Sequence, residues 1–587
     1  MQFRAPVESI ADMLNRVAGL DRALERGHFP DLSADVVSAI LAEAGRFATE
    51  RLAPLNQPGD RAGARLDNGT VTTAPGFAAA YADWTAGGWN GLAAPTEHGG
   101  QGLPLMLNMA VYDMWNAACP AFAICPVLTG GAIEALERHA SPELKARYLL
   151  PLVEGRWTGT MNLTEPQAGS DLGALRTRAE RRDDGSYRLF GQKIYITYGD
   201  HDMAENIVHL VLARLPDAPA GTRGISLFLA PKFLPDEAGR PTVRNDIAVA
   251  GLEHKLGIHA SPTCTMVFGD AGGATAWLVG AENRGLAAMF TMMNNARLAV
   301  AIQGVGVAER ATQRAAAYAA ERRQGRAPDA APGAGMSPIA EHPDVKRMLL
   351  TMRGLTDASR AIAYALAFAI DMERAAPEAE RPGWAVRAAL LTPVAKAFAT
   401  DAGFEVASIG VQVHGGMGYI EETGAAQHLR DARIFQIYEG TNGIQAIDLV
   451  TRKLTLAEGA AFRDYVAELR GIVADCRGHD AELDGIADLA STAIGDLTFA
   501  ASWLTRALAE ERTAEALTGA SDFLALFGTV AGAIYLLQSA AGGSETRRVV
   551  ARVFAATRLP HAAALRLAVT HGARTIADAD AVLAAAG

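Results

Sequence analysis

The sequence predicts a mainly α fold with a central β-domain, and three observations carry that reading. Apolar residues recur at helical spacing over the first 160 residues and again from 283 onward. Between 161 and 282 they give way to short β-branched and aromatic runs divided by turn residues. After residue 456 an Ala-rich stretch regains helical periodicity. We therefore expect four consecutive segments: an N-terminal helical domain over 1–160, an antiparallel β-domain over 161–282, a helical bundle over 283–456 and an additional helical domain over 457–587.

In the first segment Leu14, Val17, Leu20 and Leu24 share one helical face, as do Val36, Ile40, Ala44 and Phe47. Gly- and Pro-rich joints at 86–104 separate further helices. Phe122–Gly131 is apolar and punctuated by Pro126 and Gly130, which reads as a packed junction between helices. In the β-domain, Tyr187–Phe190, Lys193–Thr197, Ile207–Ala213, Ile225–Leu229 and Cys264–Phe268 read as strands, broken by Asp184-Gly185, Gly221 and Gly224. The bundle is expected from long helices over 285–323, 343–374, 385–413 and 443–453, interrupted by a Gly/Pro-rich loop at 325–335. No internal repeat of fixed period is present.

Composition narrows the functional classes. With 54 basic against 65 acidic residues the formal charge is −11, so a polyanion-binding surface over the whole molecule, and with it a nucleic-acid partner, is not expected. A local basic patch for a phosphate-bearing cofactor remains compatible. The four cysteines, Cys119, Cys125, Cys264 and Cys476, form no CxxC pair. That excludes a disulfide framework and a cysteine-rich zinc site, leaves no metal expected, and fits a reducing cytoplasm. The first residues carry no basic stretch followed by an apolar run, and no 18 apolar residues run uninterrupted, so neither a signal peptide nor a membrane span is expected.

Three segments carry chemistry. Met161-Asn-Leu-Thr-Glu-Pro-Gln-Ala-Gly-Ser-Asp171 opens the β-domain as a loop able to present amide N–H groups to carbonyl or phosphate oxygens; the plain alternative is an ordinary loop capped by Ser170 or Asp171. Downstream, Tyr195 and Thr197 are two apart on a strand, so both side chains face one way, one to pack on a flat ring and one to hydrogen-bond. Val411-Gln-Val-His-Gly-Gly-Met-Gly-Tyr419 lacks the strand–turn–helix setting of a dinucleotide fingerprint, and its plain alternative is a helix cap at Gly415. In Arg430-Asp-Ala-Arg-Ile-Phe-Gln-Ile-Tyr-Glu-Gly-Thr-Asn442, one helix ends near Ile434 and another begins after Thr441 or Asn442. Glu439 therefore sits on a tight connection beside Gly440, walled by Phe435, Ile437 and Tyr438, where the plain alternative is an exposed loop carboxylate.

Thr164–Asp171, Lys193–Thr197, the 411–419 turn and the 430–442 turn together resemble, in order, the acyl-CoA dehydrogenase family; the likeness covers about residues 36–453. The extra C-terminal segment, Gly199–Ile207 and Gly251–Ile258 resemble the larger branch that includes the methylmercaptopropionyl-CoA dehydrogenases. The resemblance implies FAD as cofactor, with Met161, Leu163, Thr164, Gly169, Ser170, Tyr195, Ile196, Thr197, Arg322, Gln412, Gly415, Gly416, Thr441 and Asn442 around it. It implies Glu439 as the base that removes an acyl-CoA's α-proton as the β-hydride leaves, giving a trans-2-enoyl-CoA, with Ser170, Asn294, Arg297 and Gly440 at the substrate. Three departures stand out: Tyr195 where Trp is common, Gln324-Gly325 where Thr-Phe follows the arginine pair, and Asn294 where many members have Asp.

The implied partners are an acyl-CoA, either methylmercaptopropionyl-CoA or a straight chain, an electron-transferring flavoprotein, and a further copy of the chain in a homodimer. The rival readings are an acyl-CoA oxidase passing electrons to dioxygen, a DNA-associated relative of the same fold, and a non-catalytic helical scaffold.

Overall fold

The computed structural model of the chain describes residues 3–333, 335–572, 576 and 579–585. Packing divides it into two compact units: Arg46–Pro104 with Ala118–Ala299, and Met1–Gly45 with Leu105–Ala117 and Val300–Gly587.

The first unit is built on a sheet of eight strands among the described residues: β1 (Trp157–Asn162), β2 (Arg178–Arg181), β3 (Tyr187–Thr197), β4 (Asn206–Arg214), β5 (Ile225–Pro231), β6 (Ile247–Leu252), β7 (Thr263–Phe268) and β8 (Ala274–Val279). They lie in the order β6-β7-β3-β8-β5-β4-β1, with β2 pairing with β3 and β4. The middle of the sheet is antiparallel, as expected, but edge strand β1 runs parallel to β4. Period two splits β4 between two cores. Val208, Leu210 and Leu212 meet Leu128, Tyr148 and Leu149 of the flanking helices. Val211 and Ala213 join Leu189, Phe228 and Phe268 on the other face. A strand covered on both faces needs no polar alternation, which is why Ile207–Ala213 reads as a continuous apolar run.

Two expectations change here. Phe122–Gly131 is no junction but the interior of one helix, Pro120–His139, with Pro126 inside it. An interior proline costs about 3 kcal/mol; burial of Phe122, Ile124, Leu128, Ile133 and Leu136 on the same helix exceeds that. The N-terminal segment also contains a hairpin, Arg65–Asp67 with Thr70–Thr72, closed by Asn68-Gly69, both at positive φ (+50° and +76°).

The second unit is helical. The long helices Gly285–Glu321 (from Val300 on), Pro343–Ala375 and Arg381–His414 match the expected bundle, and Asn442–Asp448 follows the 433–441 turn. Where the first and third cross, Gly304 and Gly403 bring backbones together; a Cβ on Gly304 would lie 2.4 Å from the carbonyl oxygen of Ala399. A buried ion network ties the unit together: Arg360 bonds Asp113 (2.7 Å), Glu309 (3.0 Å) and Asp357 (3.2 Å), and Tyr364 donates to Asp113. The C-terminal helix Ala520–Ala540 packs on the bundle, with Gly528 against Phe398 and Gly532 against Ala358. Pro120–His139 and Ala520–Ala540 are long and apolar enough to cross a membrane, yet 78% of each apolar window is buried inside the protein, as in core helices.

Candidate active site

The 161–171 loop leaves β1 and doubles back through a tight turn in which Glu165 and Ala168 exchange backbone bonds (3.1 and 2.9 Å) around Pro166-Gln167. What fixes it is the buried Glu165 carboxylate. It accepts from Lys193 Nζ (2.8 Å), Thr177 Oγ1 (2.6 Å) and the N–H groups of Arg176 (2.6 Å) and Thr177 (3.0 Å). Burial opposes its ionisation, but the Lys193 ammonium and these donors prevail and hold its pKa down at about 2. Lys193 is fully buried, and burial lowers it to about 8 against the pull of Glu165. The same ammonium donates to Leu163 O (2.8 Å), and the Ile194 N–H donates to Thr164 O (2.9 Å), so the loop is bolted to β3. Met161 and Leu163 pack partly into the core, while Gly169 and Ser170 are exposed and Thr164 is half-buried. The cap is Asp171, which accepts from the Gly173 N–H (2.8 Å).

On β3 the pleat is interrupted. The register with β7 shifts between Cys264 and Met266, and Tyr195 takes φ +61°. A bulge therefore stands where a regular strand is expected. Ile196 is buried with its side chain in the core, while Tyr195 is 61% exposed and Thr197 half-buried. The aromatic and the hydroxyl still flank a buried residue, but a left-handed residue rather than plain period two presents the ring. This unit thus gathers Met161, Leu163, Thr164, Gly169, Ser170, Tyr195, Ile196 and Thr197 around one loop and one bulge. It also holds Asn294 and Arg297 on the helix Gly285–Glu321, where buried Arg297 donates to Asn294 Oδ1 (3.3 Å) and Asn294 is exposed.

In the helical unit the chain passes from Ala425–Ala432 through a 3-10 turn, Arg433–Gln436, to the turn that carries Glu439. Glu439 and Gly440 are both left-handed, at φ +55° and +85°. Thr441 caps the next helix, accepting from the Ile444 N–H (3.2 Å), so the cap is Thr441 and not Asn442. Glu439 and Gly440 are half-buried. Phe435 is buried and stacks on Tyr438 at 6.0 Å; Tyr438 bonds buried Gln303, and Ile437 is 45% exposed. Two side chains hold the turn from below. Gln445 Nε2 donates to Glu439 O (3.2 Å), and the fully buried Lys396 donates to Gly440 O (2.9 Å) and Asn442 Oδ1 (2.8 Å). Asn442 Nδ2 and Gln436 Nε2 both donate to Asp401 (2.7 and 2.6 Å), whose carboxyl is raised by burial.

The remaining residues of the same unit lie at helix ends. Arg322 is exposed just past Glu321, where its carbonyl accepts from the Ile339 N–H (2.7 Å) and a short backbone pairing closes the 325–335 loop. Gly415 ends Arg381–His414 at φ +62°, ψ −143°, a conformation that glycine alone adopts freely, and Gln412, Gly415 and Gly416 are exposed.

Sequence reasoning missed Glu165 and Lys193 as a pair, since a separation of 28 positions hides the contact. It also missed Gln303, Asp401 and Gln445. Lys396 did leave a signal: a lone lysine in the otherwise apolar run Pro393–Ala399 is costly unless something meets its charge.

Comparison with known proteins matches four successive segments of the chain. Residues 36–156, 160–271 and 283–454 match the N-terminal, middle and C-terminal domains of acyl-CoA dehydrogenases, and 465–580 match a domain described as acetyl-CoA dehydrogenase C-terminal like. The chain is 48% identical over 465 residues to 3-methylmercaptopropionyl-CoA dehydrogenase of Ruegeria pomeroyi, covering 79% of this chain and 78% of that one. It is 33% identical to the broad-specificity linear acyl-CoA dehydrogenase FadE5 of Mycobacterium tuberculosis, over 80% of this chain and 78% of the relative. In fold it is similar to Caenorhabditis elegans ACDH-11, solved in complex with C11-CoA, at a TM-score of 0.79 and 21% identity, covering 95% and 92% of the two chains.

Proposed function

The chain belongs to the acyl-CoA dehydrogenase family, and we propose that Glu439 is the base that takes the α-proton of its acyl-CoA substrate. The protein is an FAD-dependent oxidoreductase of acyl-CoA. The observation that supports the assignment of Glu439 is the turn itself: a half-buried carboxylate on a left-handed residue, next to a glycine that lets another molecule approach.

The residues fit the cofactor's chemistry. An exposed aromatic ring beside a hydroxyl suits a flat heterocycle with a hydrogen-bonding edge, and the exposed Arg322 guanidinium suits a pyrophosphate. In this reading Tyr195, Thr197 and the 161–170 loop hold the ring system, with Ile196 contributing backbone only. Arg322, Gln412, Gly415, Gly416, Thr441 and Asn442 serve the rest of the cofactor. FAD, when bound, supplies the hydride acceptor. The chain's own part is to hold the acyl-CoA near Ser170, Asn294, Arg297 and Gly440, to aim the Glu439 carboxylate at the α-carbon, and to offer the Glu439 N–H to the thioester oxygen, where negative charge grows as the proton leaves.

For the acyl group we favour 3-methylmercaptopropionyl-CoA, supported by the 48% identity to the Ruegeria enzyme. A pentanoyl chain has the same length, with CH2 in place of the polarisable sulfur; straight chains are therefore the second reading, supported by the likeness to FadE5. We further assign an electron-transferring flavoprotein as acceptor, a homodimer as the assembly, the cytoplasm as location, and the segments 1–160, 161–282, 283–456 and 457–587 as family domains. The test is anaerobic bleaching of the bound flavin by a panel of acyl-CoAs, with product masses read. The reading expects fastest bleaching and a loss of two hydrogens with 3-methylmercaptopropionyl-CoA; faster bleaching by a long straight chain overturns the substrate, and no bleaching by any acyl-CoA overturns the reaction.

A further inference from the structure

Lys396 stands in the middle of the helix Arg381–His414, between the buried Ala395 and Ala397, and is itself 0% exposed. Sequestering an ammonium there is costly, and the cost is met by oxygen atoms aimed at it. Two of them belong to the 439–442 turn: Gly440 O at 2.9 Å and Asn442 Oδ1 at 2.8 Å. Asn442 is fixed from its other end, donating to Asp401 and Thr400 on the same helix (2.7 and 3.0 Å). The turn needs such a hold. A non-glycine residue in the left-handed region gives up about 1–2 kcal/mol, so Glu439 at φ +55°, followed by Gly440 at +85°, does not keep that shape by local preference.

The consequence is directional. Gln445 holds the Glu439 carbonyl and Lys396 holds the Gly440 carbonyl, so both peptide planes after Glu439 are fixed from below. With those planes fixed, ψ of Glu439 places its nitrogen and its side chain and φ turns its N–H, so the two anchored carbonyls are the base from which the N–H and the carboxylate are aimed. If the anchors are lost, ψ and φ of Glu439 relax together and the N–H and the carboxylate lose their common aim.

We propose that Lys396 is a positioning residue for dehydrogenation: through Gly440 and Asn442 its buried ammonium keeps Glu439 left-handed, and so aims the base and the adjacent N–H at the same thioester. This rests on Glu439 being the base. It predicts a loss in the chemical step without a matching loss in binding, because displacing reacting groups by about 1 Å costs on the order of 10²-fold in rate.

The experiment uses the full-length holoenzyme and stopped-flow flavin bleaching over a range of pentanoyl-CoA or 3-methylmercaptopropionyl-CoA concentrations, for wild type, Lys396→Met, Lys396→Arg, Asn442→Leu and Glu439→Gln. Flavin content is measured for each variant. The expected result for Lys396→Met is a limiting bleaching rate down about 10²-fold, with the half-saturating acyl-CoA concentration changed less than about threefold. Lys396→Arg recovers part of the rate. Asn442→Leu, which removes the second arm of the clamp, slows the limiting rate about tenfold and decides the matter if Lys396→Met does not fold. A folded, flavin-loaded Lys396→Met at wild-type limiting rate overturns the proposal, as does an Asn442→Leu at wild-type rate or a defect confined to half-saturation. If Glu439→Gln bleaches normally, the assignment of the base fails instead, and the two failures are told apart.

Discussion

At the scale of single residues, two carboxylates have opposite fates. Glu439 is half-buried on a strained turn, whereas Glu165 is 4% exposed and bonded on every side. Glu165 lies inside the 161–171 loop, and its geometry makes it the bolt of that loop. Replacing it by Gln leaves the Lys193 ammonium buried without its counter-charge, and we expect a loss of about 3–5 kcal/mol, read as a fall in urea midpoint at pH 7. The pH sense follows from the depressed value. A group at 4.5 when unfolded and about 2 when folded contributes stability that is complete above pH 4.5 and lost as pH falls toward 2. The gap between wild type and Glu165→Gln should therefore narrow across that window; a constant gap would refute the role. Glu439 was legible in the sequence because glycine, a cap residue and flanking apolar side chains all lie within a few positions of it. Lys396 and Gln303 were not, because each reaches the turn from another part of the fold, and Gln445, close by in sequence, shows its role only once the next helix turns it back on the Glu439 carbonyl.

At the scale of elements, the long helices and strands β4, β5 and β7 follow directly from apolar period. Strands β1, β6 and β8 do not. Trp157-Thr-Gly-Thr-Met-Asn162 and Ile247-Ala-Val-Ala-Gly-Leu252 are small, glycine-containing and mixed, and become strands because neighbours complete their hydrogen bonds. The bulge at Tyr195 was likewise hidden, since it depends on the register of β7. The Asn68-Gly69 hairpin, by contrast, carries its turn signal in the dipeptide itself. One element contact links packing to the site. Gly304 meets backbone of the helix that bears Lys396 and Asp401. Gly304→Ala forces the two helices apart, and overpacking of this kind costs about 1–3 kcal/mol. We expect a lower melting temperature together with slower flavin bleaching; an unchanged melting temperature would show that the crossing adapts freely.

For the whole molecule, the segment after residue 456 is the least legible part: periodic, Ala-rich and without chemistry in its sequence. Its packing explains it. Helix Ala520–Ala540 meets Phe398 and Ala358, and Phe554 meets Gly354, so these residues cover part of the bundle's apolar surface. A chain ending at residue 456 should be insoluble or molten, measured by soluble yield and near-UV dichroism; a soluble, flavin-loaded truncation would contradict that. The acceptor is also tested at this scale. A dehydrogenase reduced anaerobically by substrate reoxidises slowly when air is admitted, whereas an oxidase recovers its colour at once. The central claim, that this chain removes the α-proton of an acyl-CoA through Glu439, is tested most directly by anaerobic stopped-flow bleaching with substrate deuterated at the α-carbon. The account predicts a primary isotope effect for wild type and no bleaching for flavin-loaded Glu439→Gln; bleaching of that variant at the wild-type rate would contradict it.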